Sequence, residues 1–84
     1  MQVTEVRLKK REGDERFLAS GSLTLDKSFS VLGIKVMKSK EGNLFVAFPS
    51  YRAANGDYKD VCFPITKDLR EDITLAVLTE YEKL

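Results

Sequence analysis

The sequence predicts an α+β fold: one domain over residues 1–84, in which an antiparallel sheet of about five strands carries a C-terminal α-helix packed on it. Two patterns lead to that class. Up to about Ile65, apolar and polar residues alternate with period two, broken by clusters of Gly, Asp, Asn and Ser. From Thr66 onward the apolar spacing changes to three and four, the period of a helix. A third observation, the length of 84 residues, leaves room for one core and no second domain. A core this small has a thin stability margin, which pairing with a second copy would remedy.

The elements follow in order. In "QVTEVRLKKR", Thr4, Val6 and Leu8 share one strand face, and Glu5, Arg7, Lys9 and Arg11 share the other. "EGDE" is a turn. "RFLASGSLTLD" then sets Phe17, Ala19, Gly21, Leu23 and Leu25 against Leu18, Ser20, Ser22 and Thr24, completing a first hairpin. Asp26 and Lys27 turn the chain into "SFSVLGIKVMK". There the alternation of Phe29 and Val31 slips past Gly33 to Ile34 and Val36, the signature of a bulge or bend. After "SKEGN", "LFVAFP" is apolar on both faces, which predicts a strand central in the sheet. "YKDVCFP" is the fifth strand, with Val61 and Phe63 on one face and Cys62 on the other, and Pro64 stops the ladder. In the tail, Leu69, Ile73, Ala76, Val77, Tyr81 and Leu84 form one apolar stripe. Thr66 or Asp68 caps that helix, and Asp68 with Glu71 has capping-box spacing.

Composition narrows the function. With no histidine, imidazole base catalysis and Ser-His or Cys-His pairs are absent. A single cysteine and carboxylates make a poor zinc set, and the five glycines form no phosphate loop. No enzyme, cofactor or small-molecule substrate is expected. The lone Cys62 excludes an internal disulfide, fits a reducing cytoplasm and reads as a small buried hydrophobe. The first ten residues alternate charged and apolar types, unlike a signal peptide, and no apolar run reaches membrane-spanning length. Net charge is +1, with the basic excess in residues 1–67 and an acidic tail.

The longest connection, "FPSYRAANGDYKDVCFPI", holds the chemically distinctive residues. Asn55-Gly56 supplies the reversal. Arg52 and Lys59 read either as phosphate contacts or as solvated loop charge. Tyr51 and Tyr58 read as platforms for unpaired bases or as packing on the sheet rim, the latter favoured for Tyr58. Arg7, Lys9 and Arg11, with Lys10 adjacent, form a basic row that either tracks a phosphate backbone or protects an edge strand.

The blocks "VTEVRLKK", "LFVAFPS", "PSYRAANGDYKD", "FPI" and "AVLTEYEKL", in that order over nearly the whole chain, resemble the SpoVG family. The resemblance implies a non-catalytic bacterial cytoplasmic regulator that binds DNA, and in some cases RNA. It further implies effects on septum formation, sporulation or virulence gene expression, and a dimer formed through strands. The family's loop reads Pro-Ser, two basic residues, a turn, then a basic residue before Asp. Pro49, Ser50, Arg52, Lys59 and Asp60 match that pattern. Tyr51 departs from it by standing at a basic position, Ala53 and Ala54 replace the usual Thr-Pro, and Phe63 stands where a histidine is common. The nucleic-acid-binding residues expected are therefore Tyr51, Arg52 and Lys59 of the loop, with Arg7 and Lys9 of the first strand. The rival expectation is a protein-interaction adaptor that docks through the same surfaces without touching nucleic acid.

Overall fold

A computed structural model describes residues 1–84. Four strands form an antiparallel meander in spatial order β1-β2-β3-β4: β1 (Val3–Lys10), β2 (Phe17–Leu25), β3 (Phe29–Lys38) and β4 (Leu44–Ala47). A separate two-stranded sheet follows, β5 (Ser50–Arg52) with β6 (Tyr58–Asp60), and then the helix α1 (Lys67–Glu82). The α+β class with its C-terminal helix holds. The strands, however, divide into four and two.

Period-two alternation decides what is buried. Ala19, Leu23 and Leu25 of β2, Ile34 and Val36 of β3, and Phe48 just after β4 are buried against Ile73 and Val77 of α1. Val6, Leu8, Val31, Val46, Leu69 and Tyr81 close the rim of that core. Sinking a Val, Leu or Ile this far contributes about 1.5–3 kcal/mol per side chain. The helix lies on one sheet face only; the other face is open.

Three bulges set which residues reach the open face. In β1, Val3 pairs with Leu25 and Glu5 with Thr24, so Thr4 is the extra residue, and Val3 takes the core-side place beside Val6 and Leu8 that was expected of Thr4. The other two lie between β2 and β3. Gly21 pairs with Ile34 and Ser22 with Leu32, so Gly33 is the extra residue, at φ +83°. A side chain there would press on Pro49 Cβ, 3.3 Å away. The slip expected at Gly33 is thus real, and it keeps Val31, Ile34 and Val36 on the core side. The bulge at Leu18 was not expected. Phe17 pairs with Met37 and Ala19 with Val36, leaving Leu18 over. Leu18 packs on the core, and the change of phase turns Phe17 to the open face, opposite to its expected side.

The turns use local chemistry. Asp26 and Lys27 both take left-handed angles, φ 50° and 55°, the form that a two-residue hairpin turn requires. The start of β1 holds them there. Asp26 N–H donates to Gln2 O at 2.8 Å and its carboxylate accepts Gln2 N–H at 2.7 Å. Thr4 Oγ1 accepts Lys27 N–H at 2.9 Å. At α1, Thr66 is the N-cap and accepts Leu69 N–H at 3.2 Å. Of the two expected caps, Thr66 is the one used, and Asp68 lies inside the first turn.

Three expectations are corrected. The apolar β4 is an edge strand rather than a central one; its apolar residues do not mark burial on both faces, since Leu44 and Phe45 are exposed. The expected fifth strand stops at Asp60, where its pairing with β5 ends. Beyond it Val61, Cys62 and Phe63 are exposed in irregular chain, so Cys62 is not a buried hydrophobe. The only ladder-like bond there runs from Val61 N–H to Pro49 O at 2.7 Å.

Candidate nucleic-acid interface

The long connection is itself a hairpin, separate from those of the main sheet. Ser50 pairs with Asp60, Tyr51 with Lys59 and Arg52 with Tyr58. Its reversal is a turn from Ala53 to Gly56, closed by Gly56 N–H to Ala53 O at 2.9 Å and Ala53 N–H to Asp57 O at 2.7 Å. Asn55 Oδ1 accepts Asp57 N–H at 3.1 Å, and Gly56 takes φ +90°. The positive φ expected of Asn55-Gly56 falls on the glycine, as steric freedom dictates.

Directly opposed residues of an antiparallel pair share a face, and neighbours in sequence do not. Tyr51 therefore stands beside Lys59 on one face of the hairpin, and Arg52 stands beside Tyr58 on the other. Arg52 and Lys59, expected together, are on opposite faces. Each instead has a tyrosine as cross-strand neighbour. Tyr51 is 51% exposed and Tyr58 73% exposed, so Tyr58 does not pack on the sheet rim. Arg52 and Lys59 are also exposed, and neither has a carboxylate within ion-pair distance; the ion pairs are Arg7–Glu5, Lys67–Glu71 and Lys83–Glu80.

On β1, Arg7 pairs with Ser22 and Lys9 with Ser20, which sets both cations on the open face. Glu5, two residues before Arg7, binds its guanidinium. Arg11 lies past the end of β1, and its guanidinium sits 4.2 Å from the centre of the Phe17 ring. Sequence reasoning did not single out Lys35. It faces Ser20 on one side and Ala47 on the other, and its ammonium lies 5.5 Å from the Phe17 ring. The signal was present: counting two past the slip at Gly33 puts Lys35 opposite Ile34 and Val36. Near these cations the Asp14 carboxylate is held below its usual range, chiefly by the N–H groups of Arg16 and Phe17 at 2.9 and 3.0 Å.

No polar or charged residue is buried. No helix is long and apolar enough to cross a membrane.

A family model described as SpoVG matches residues 1–83, which takes in β1, the hairpin and α1 alike. The chain belongs to the SpoVG family. The SpoVG 2 protein of Listeria monocytogenes is 46% identical over 84 residues, covering all of this chain and 81% of its own length. SpoVG relatives from Brevibacillus brevis and Staphylococcus aureus are 43% and 40% identical over 84 residues, with 87% and 83% of their own lengths covered. All three are named as septation proteins, a name that describes no reaction.

Proposed function

We propose that this chain is a non-catalytic, cytoplasmic, homodimeric regulator that binds DNA, with RNA as a second candidate ligand, and that affects septation, sporulation or virulence gene expression. Tyr51, Arg52 and Lys59 of the hairpin, with Arg7 and Lys9 of β1, make the contacts. One observation carries the reading: the hairpin stands off the main sheet and the helix, and displays a tyrosine beside an unpaired cation on each of its faces. Such a projection has little to offer the core. It suits a ligand that presents phosphates to cations and base faces to aromatic rings.

The dimer rests on surface area. A folded monomer of 9.5 kDa exposes about 5,000 Å² by the usual size scaling, and this chain exposes 6216 Å². The excess, roughly 1,200 Å², is what one partner contributes to a permanent dimer of about 2,000 Å² or more. The apolar edge strand β4 and the exposed Val61, Phe63 and Ile65 are where strands of a second copy gain most. A dimer carries two hairpins at fixed separation, and two weak sites so linked bind more tightly than either alone.

The same exposed apolar residues favour one rival, an adaptor that docks a different protein there. Fluorescence-anisotropy titration with random DNA and RNA at two salt concentrations separates the readings. Binding that weakens with salt and falls in Arg52→Ala supports nucleic-acid recognition. No binding at low salt, or binding unchanged in Arg52→Ala, rejects it. Sedimentation equilibrium tests the dimer, and a monomer at micromolar concentration would refute that part.

A further inference from the structure

The sheet face turned away from α1 carries its residues in transverse rows. One row runs Arg7, Ser22, Leu32; the next runs Lys9, Ser20, Lys35, Ala47; the third runs Phe17, Met37, Phe45. Cations two residues apart on β1 are about 6.6–6.8 Å apart along the strand, and Lys9 lies two strands, about 9.5 Å, from Lys35. Phe17 sits near both Arg11 and Lys35, at 4.2 and 5.5 Å from its ring centre. Glu5 on Arg7 is the one carboxylate bound to a cation of this face, whereas α1 carries Asp68, Glu71 and Asp72 in its first turns. The molecule is thus polarised, with a basic open sheet face and an acidic helix.

We propose that this open face is a binding surface for an unpaired nucleic-acid strand, with phosphates on Arg7, Lys9 and Lys35 and bases against Leu32 and Phe45. The inference rests on the nucleic-acid reading above, which already uses Arg7 and Lys9, and adds to it Lys35, Leu32 and Phe45 across the open face and a preference for single strands. Protection of the β1 edge accounts for Arg7 and Lys9, but not for Lys35 on the third strand or Phe45 on the fourth. Leu32 is 72% exposed and Phe45 42% exposed, among cations on a face with no covering layer. A duplex turns its phosphates outward and keeps its bases stacked, so it has nothing to lay on those apolar side chains. An unpaired strand presents π-faces that stack on aromatic side chains and tolerate any sequence. The hairpin, with charge and tyrosine on both sides, does not by itself distinguish the two forms.

The test is anisotropy titration of a labelled mixed-sequence 15-nucleotide DNA, its RNA counterpart and the 15-base-pair duplex. The proteins are the parent, Phe45→Ser, Lys35→Gln and Arg52→Ala, each checked for its melting temperature and oligomeric state. The parent is expected to bind both single strands more tightly than the duplex. Phe45→Ser is expected to weaken single-strand binding roughly 5- to 100-fold with little change for the duplex. Lys35→Gln is expected to lower the salt slope by about one. Equal affinity of the parent for single strands and duplex overturns the proposal, as does parent-like single-strand binding by both Phe45→Ser and Lys35→Gln. If those two variants bind like the parent while Arg52→Ala does not, the hairpin reading survives and the sheet-face inference fails. Binding of no probe by the parent removes both.

Discussion

Gly21 is the position at which one methyl group should cost most. It lies in β2 with β1 on one side and β3 on the other, opposite Leu8 and Ile34. A Cβ built there would overlap the Arg7 carbonyl oxygen and lie 2.8 Å from Arg7 C and 2.9 Å from Leu8 Cα. Carbon atoms pack at about 3.5–4.0 Å, so β1 would have to retreat by around 1 Å. Ladder bonds near 2.9 Å do not survive that displacement with good geometry. Two or three such bonds at about 1 kcal/mol each, with the accompanying strain, give a loss of about 2–4 kcal/mol. The whole stability of an 84-residue chain is roughly 4–13 kcal/mol. Gly21→Ala should therefore lower the melting temperature by roughly 10–30 °C, read by far-ultraviolet circular dichroism. Ser22→Ala, one residue along, keeps the Cβ already present and should change stability by no more than about 0.5 kcal/mol. A Gly21→Ala protein that melts within about 3 °C of the parent would refute the reasoning, because β1 would then be able to yield freely.

Other outcomes follow from single contacts. Thr66→Ala removes the acceptor for Leu69 N–H and should cost about 1 kcal/mol in thermal melting, with Thr66→Ser recovering most of it. Gly56→Ala places a side chain at φ +90° and should loosen the Tyr51–Lys59 pairing seen by NMR while leaving the melting temperature nearly unchanged, since the hairpin contributes no residue to the buried core. A fall as large as that of Gly21→Ala would show the hairpin coupled to the core. Asp14 is more acidic in the folded chain than its ordinary value because its carboxylate accepts two backbone N–H groups. Its contribution is present above the ordinary value, about 3.9, and is lost as pH falls through the lower folded value. The Arg16 and Phe17 amide shifts should follow that titration, and Asp14→Asn should abolish the response.

Much of the fold was legible because its signals are local. Alternation named the core side of β2 and β3, Asp26-Lys27 and Asn55-Gly56 marked reversals, and Thr66 with the stripe from Leu69 to Tyr81 gave the helix and its cap. The Gly33 slip was visible because glycine interrupts a clear alternation. The bulge at Leu18 had no such marker, since any residue can be the extra one when the register demands it, and Phe17 was therefore assigned to the wrong face. Apolar character at β4 could not separate a central strand from an edge, because residue type reports a wish for burial and not the neighbour that supplies it. Cys62 and the residues around it show the same limit.

For the candidate interface, the sequence by itself determined which residues carry charge and aromatic surface, and that Tyr51, Arg52 and Lys59 share one connection. Only the tertiary structure decided their partners. Pairing across β5 and β6 sets Arg52 and Lys59 on opposite faces, each beside a tyrosine. The ladder from β1 through β3 brings Lys9 and Lys35, far apart in sequence, into one row. Which side chains meet across a sheet depends on register, and register is fixed by how the whole set of strands buries its apolar face.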